Sequence, residues 1–250
     1  MMIRLLCFFL ILFSQVIGYQ RPEGISPELW DELSPYFLPQ DHPSKSTLDT
    51  IFTSSKPLSD PASLKKIGLI LSKPRKSGMY VASHKKLKEH KLKIFLHSHP
   101  APEWWSFRRR IEGANLIRDA IIAHEYGERF KVPQKWLYPL PPTEIQTEGV
   151  QKHFVLVVED MHISAKLSNG NYYRNSIRRG TLFALYTLVQ ENLLIDSIHI
   201  DNIPRCMDGK IAFVDTEHYM VEDTPIKWFR LQENLSTSNK KYLQKILDGK

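Results

Sequence analysis

The stretch HIDNIPRCMDGKIAFVDTE, residues 199–217, constrains this chain more than any other. Asp208-Gly209 is the kind of dipeptide that favours a two-residue β-hairpin turn. Folding about that turn sets Asn202 opposite Asp215, Pro204 opposite Phe213 and Cys206 opposite Ile211. Asn202 and Pro204 then fall at non-hydrogen-bonded positions, where proline breaks no ladder bond and facing Cα atoms lie roughly 4.5 Å apart. The Asn202 amide oxygen and the Asp215 carboxylate therefore converge on one face. Hard oxygen ligands of this kind suit magnesium, which one or two protein oxygens hold together with phosphates and water. The alternative is that both residues merely cap strand ends.

With 250 residues and 42% hydrophobic content, the chain is long enough for one large domain or two small lobes around a cleft. Its first residues, MMIRLLCFFLILFSQVIGYQ, have one Arg, an apolar run from Leu5 to Ile17 and then Gly18. That pattern predicts a secretory signal peptide cleaved near Gly18, hence a secreted or extracytoplasmic chain, and the run is too short to span a bilayer comfortably. No later run approaches membrane length, so no transmembrane segment is expected after cleavage. Cys7 falls inside the leader, leaving Cys206 as the one thiol of the mature chain and no intramolecular disulfide. Much of the net charge of +7 comes from SHKKLKEHKLK and FRRR within residues 83–110. Such a cluster suits a polyphosphate, an anionic lipid surface or nucleic acid, or is a solvated basic face.

Residues 19–66 are rich in Pro and Ser. They read as an arm or lid with one short helix, Ser26 its N-cap and Pro27 its first residue, followed by loop. IGLILS, GMYVAS and LKIFLH read as antiparallel strands. Phe107, Ile111, Ala114, Ile117 and Ile121 recur at helical spacing, which predicts a helix over 103–127 stopped by Gly127. The prolines of VPQKWLYPLPP argue against regular structure there, and HFVLVVEDM reads as a buried strand. A second helix is expected over 175–192, with Ile177, Phe183, Ala184 and Val189 on its apolar stripe, and a short third one over 239–247.

This order of elements, together with DSIHIDNI…DGKIAFVD, resembles the catalytic core of the protein-kinase-like fold. The likeness is greatest to the atypical branch that includes phosphatidylinositol kinases and secretory-pathway kinases. The resemblance implies an α+β, two-lobed architecture: a signal peptide at 1–18, the arm at 19–66, a β-rich N-terminal lobe with one long helix at 67–160, and a reduced, mostly helical C-terminal lobe at 161–250. It implies that Asn202 and Asp215 hold magnesium, and that Lys93 touches the phosphates of ATP while Glu112 orients it. Gly78 would be a remnant of the nucleotide-covering hairpin, and FVLVVEDM, with Glu159, the strand and hinge beside the base. His199 matches the loop histidine of the phosphatidylinositol-kinase pattern. Ser197 stands where the family has its base Asp, so Asp196 serves only with a one-residue insertion, and Thr216-Glu217 replaces the usual Phe-Gly.

The activity implied is transfer of the ATP γ-phosphoryl group to a hydroxyl acceptor by a secreted protein. The rival is a catalytically silent kinase-like module, a pseudokinase, that binds a nucleotide or partner without turnover. A separate reading of the residues is a metal-dependent hydrolase using His97 and His99 with His199 and His218, since the His-x-His spacing puts two side chains on one strand face.

Overall fold

The computed structural model describes residues 18–53, 60–72, 78–96, 101–142, 152–195 and 197–249. The expected leader falls almost wholly outside these residues, as do Asp196, His97 and His99. Along the chain run α1 (Pro27–Leu33), α2 (Lys45–Ile51), α3 (Pro61–Lys66), β1 (Leu69–Leu71), β2 (Met79–His84), β3 (His90–Phe95), α4 (Glu103–Ala123), β4 (Phe130–Lys131) and β5 (Lys135–Pro139). They are followed by β6 (Phe154–Glu159), α5 (Lys166–Asn171), α6 (Arg179–Glu191), β7 (Ile211–Ala212), α7 (Phe229–Gln232) and α8 (Thr237–Leu247). The protein is thus mixed α+β. No helix among the described residues is long and apolar enough to cross a membrane.

Local chemistry starts the helices of residues 19–66. The Ser26 side chain accepts from Leu29 N at 3.2 Å, and Asp60 accepts from Ala62 N at 2.7 Å with Pro61 at the first helical position. The expectation of loop after α1 is corrected by α2 and α3, whose Leu48, Ile51 and Leu64 are buried with Tyr80, Ala82, Leu92, Ile94, Val155 and Val157. The arm is therefore a layer of the core.

The main sheet is antiparallel, in the order β1-β2-β3-β6-β5. Alternation of side chains gives it two buried faces. α2 and α3 cover one face; α1 and α4 cover the other, where Met79, Phe95, Leu137, Phe154, Leu156 and Val158 meet Leu33, Phe107 and Ile111. Apolar β6 lies between β3 and β5, so both its faces are dry. β5 forms where prolines predicted irregular chain, because it is an edge strand and Pro139 occupies its last paired position, opposite Phe154. The arm covers that edge, with Leu38 N donating to Leu137 O at 2.8 Å.

α4 spans two cores. Phe107 and Ile111 pack on the sheet, whereas Ala114, Ile117 and Ile121 pack with Leu182, Leu185, Leu188, Trp228, Leu231 and Leu243 in a helical core. The helix ends at Ala123 rather than at Gly127, and Glu125 takes the left-handed conformation with φ 55°. The second predicted helix begins later than expected: Tyr172–Ser176 is a π-helical turn, and α6 follows it. Phe183, expected on the buried stripe, is 49% exposed; Leu182, Leu185 and Leu188 fill that stripe.

Gly113 marks the closest approach of α4 to the chain after β7. A Cβ there would run into the Thr216 carbonyl and lie 2.8 Å from Tyr219 Cδ1. Overpacking of this kind costs typically 1–3 kcal/mol. Gly113→Ala is expected to lower Tm by several degrees in a chain this size; an unchanged melting curve would show that the contact yields without cost.

Candidate functional site

The hairpin of residues 202–214 is built in a register one residue away from the two-residue-turn pairing. Cys206 N donates to Lys210 O at 2.8 Å, Ala212 N to Pro204 O at 2.9 Å and Val214 N to Asn202 O at 2.9 Å. The connection is the three residues Met207, Asp208 and Gly209, closed by Gly209 N donating to Cys206 O, with Gly209 at φ +87°. The Asp208 side chain explains the choice: it accepts from Lys210 N at 3.1 Å and pairs with Lys131 at 2.9 Å. Asn202 therefore faces Val214 in a hydrogen-bonded pair, and the expected direct pairing with Asp215 is corrected. Proline is tolerated because its carbonyl, not its missing N–H, makes the bond.

The corrected register puts Asn202, Pro204 and Val214 on one face, and that face floors a cavity of ≈ 920 Å³. Asp215, just past the last paired residue, also lines it. Charged and polar side chains line it, among them Lys91, Lys93, Arg110, Glu159, Asp160, Asn202, Asp215 and Glu217, and Val81, Val158, Met161 and Ile163 supply apolar wall. A volume near the top of the range of small-molecule sites, with apolar wall beside acids and bases, is that of a small-molecule pocket.

Lys93 reaches the site because strand alternation aims it at the α4 face of β3. It is 8% exposed, and its Nζ donates to Val214 O at 3.2 Å. Arg110, 4% exposed, projects from α4 and ion-pairs with both Asp215 and Glu217, and Ser106 donates to Glu217. Behind them lies Lys135, whose Nζ donates to Thr216 Oγ1 at 2.7 Å and Arg110 O at 3.3 Å; Thr216 Oγ1 in turn donates to Arg110 O at 2.6 Å. Ser197 Oγ donates to Asp215 O at 2.9 Å.

Burial alone would raise the Asp215 carboxyl, but Arg110, then Lys93, Lys135 and His218, outweigh it and hold Asp215 well below the ordinary carboxylate range. Burial pushes the Lys135 amine well below its usual value, and nearby Lys93 adds to the shift.

Of the residues singled out in the sequence, Lys93, Glu159, Asn202 and Asp215 all line the cavity. Gly78 is not among the lining residues; it enters β2 with φ +73° and its neighbour Met79 lines the wall. Glu112 is corrected. Two residues along a helix is a rotation of about 200°, so with Arg110 facing the cavity Glu112 faces away, accepting from Tyr36 Oη at 2.7 Å, Tyr219 Oη at 2.6 Å and Arg108 Nε at 2.7 Å. Burial would raise the Glu112 carboxyl, yet these donors outweigh it and lower it. His199 is outside the lining as well: its Nδ1 accepts from Asp201 N at 3.2 Å, and Asp201 faces the cavity instead. No group of three or more His, Cys, Asp or Glu among the described residues is placed to hold a metal ion.

Arg110 was legible in principle, since it falls at helical spacing inside the stripe of Phe107, Ile111 and Ala114. Basic character instead grouped it with the surface cluster. Fold and site together define a mixed α+β protein with a charged cleft between its sheet and its helical core. Comparison with protein-family models and with curated proteins finds no match to the chain.

Because the Asp215 carboxyl sits lower in the folded than in the unfolded chain, its contribution to stability is complete above the ordinary carboxylate range and is lost progressively as pH falls from that range toward the lower folded-state value. Asp215→Asn is expected to flatten the acid limb of stability between about pH 4 and pH 2. Urea midpoints measured across that interval check this; parallel losses in variant and wild type would contradict it.

Proposed function

We propose that the chain is a secreted, kinase-like phosphotransferase, with a β-rich lobe at 67–160 and a reduced helical lobe at 161–250 flanking the cleft. ATP is the phosphoryl donor and magnesium the cofactor. The observation that carries this reading is that Lys93, Asn202 and Asp215 line one cavity to which Val81, Val158 and Met161 supply apolar wall. The residues fit the cofactor: an amide oxygen and a carboxylate held ionised by its neighbours are the hard donors magnesium takes, with phosphate oxygens completing its shell. Bound there, the metal would neutralise charge on the β- and γ-phosphates.

The remaining chemistry belongs to the side chains. Lys93 pairs with phosphate oxygens and holds them against the floor made by Pro204 and Val214. The apolar wall from Val81 to Met161 excludes water from the base. In the reaction the acceptor hydroxyl oxygen bonds to the γ-phosphorus, the bond from that phosphorus to the β–γ bridging oxygen breaks, and ADP leaves. Asp201, the carboxylate next to Asn202 that faces the cavity, takes the proton of the acceptor hydroxyl. The basic residues of 83–110 other than Lys93 and Arg110 serve as a contact surface for anions, and the leader at 1–18 directs the chain out of the cytoplasm.

A second reading, a silent nucleotide-binding module, is favoured by the commitment of Asp215 to Arg110 and of Ser197 to the Asp215 carbonyl. One experiment separates the two. ATP with magnesium, at about one hundred times its Kd, stabilises a binding protein by about 2.7 kcal/mol, several degrees of Tm for a chain this size. The shift is expected in wild type and absent in Asn202→Ala and Asp215→Ala, with radiolabelled phosphate moving to an acceptor or to water. A shift without transfer leaves the silent module; no shift removes both readings.

A further inference from the structure

The guanidinium of Arg110 occupies the space between two carboxylates on alternate residues of one segment. One terminal nitrogen is paired with Asp215 and the other with Glu217. Its Nε is buried with no hydrogen-bond partner among the described residues, so the group is held by those two acids. Arg110 is 4% exposed, and the side chains of Asp215 and Glu217 are 33% and 11% exposed. A guanidinium remains protonated in such a setting, so its charge is permanent.

Two carboxylates that share one guanidinium, with Asn202 lining the same cavity, are the donors that a second divalent ion would collect. The arrangement instead gives one oxygen of Asp215, and one of Glu217, to a cation that the chain supplies itself. We infer that Arg110 is a built-in cation occupying the seat of a second metal ion, which limits the site to one divalent ion, taken up together with the nucleotide. This rests on the nucleotide reading of the same cavity, but its first consequence does not require the nucleotide. With Arg110 in place, Asp215 and Asn202 bind a bare divalent ion poorly; with Arg110 made neutral, Asp215, Glu217 and Asn202 become an acidic cluster with no internal counter-charge.

The test uses Mn²⁺, counted by its electron paramagnetic resonance signal. Without nucleotide, the wild-type chain is expected to take up no stoichiometric Mn²⁺, whereas Arg110→Met takes up one ion per chain at least about tenfold more tightly. The double variant Arg110→Met/Asp215→Asn loses that ion. Equal affinity in wild type and Arg110→Met, or no uptake by a folded Arg110→Met chain, would overturn the inference. Should Arg110→Met fail to fold, the wild-type chain with a non-hydrolysable ATP analogue decides: one bound Mn²⁺ supports the built-in cation, and two exclude it. If the analogue does not bind at all, the nucleotide reading fails, and bare Mn²⁺ uptake by Arg110→Gln, whose amide can still donate to the two acids, decides the role of Arg110: uptake tighter than wild type supports it and equal uptake overturns it.

Discussion

Burying a charge is costly unless it is paired and hydrogen-bonded, and Arg110 is buried near the middle of the molecule. Its partners come from the other side of the cleft, on the segment that follows β7. The pairing therefore ties α4, which rests on the sheet, to the residues that present Asp215 to the cavity. Removing one acid would leave the guanidinium half-compensated, and removing the arginine would leave two acids facing each other. Lys135 reinforces the same seam by a different route. Its amine pushed well below its usual value by burial, it donates to Thr216 and to the Arg110 carbonyl, so a hydrogen-bond lattice lies beneath the ion pairs.

α4 makes this seam possible because it belongs to two cores at once. Its first half packs on the sheet through Phe107 and Ile111, and its second half on α6 and the C-terminal helices through Ala114, Ile117 and Ile121. Gly113 lies where the two halves meet, and only a residue without a Cβ admits the Thr216 backbone there. The close approach and the Arg110 bridge fix the same segment from adjacent turns. The side of the cavity formed by Arg110, Asp215 and Glu217 is consequently set by backbone packing and buried charge.

Much of the framework could be read from the chain because it is encoded locally. The cap at Ser26, the apolar repeat of α4 and the alternation in β2 and β3 each need only a few neighbouring residues. Features decided by tertiary context were misread. β5 looks broken by proline until its edge position removes the penalty, and the arm looks like loop until α2 and α3 find a bare sheet face. The Asp208-Gly209 turn is a sharper case: the dipeptide favours one register, and the Lys131 partner of Asp208, far away in sequence, selects another. Glu112 and Arg110 differ by two positions on one helix. Motif matching chose the acid, while the helical phase of Phe107 and Ile111 places the arginine inward.

Asn202 and Asp215 still line one cavity in the observed register, for a physical reason. In the pairing first expected, both face the cavity as opposite members of one pair. In the observed pairing, Asn202 faces it in company with Pro204 and Val214, and Asp215 arrives by leaving the ladder, its carbonyl held by Ser197 and its carboxylate by Arg110. Strand geometry alone would turn Asp215 to the opposite face from Val214. The guanidinium on α4 and the lysines of β3 and β5 supply the field that keeps the carboxylate in the cleft. On the opposite wall, Lys91 and Lys93 share one face of β3, roughly 6.6 Å apart. Lys91 pairs with Asp160, and Lys93 donates to the Val214 carbonyl. The two lysines of one strand face thus tie β3 to two separate segments of the cavity lining, the residue after β6 and the hairpin.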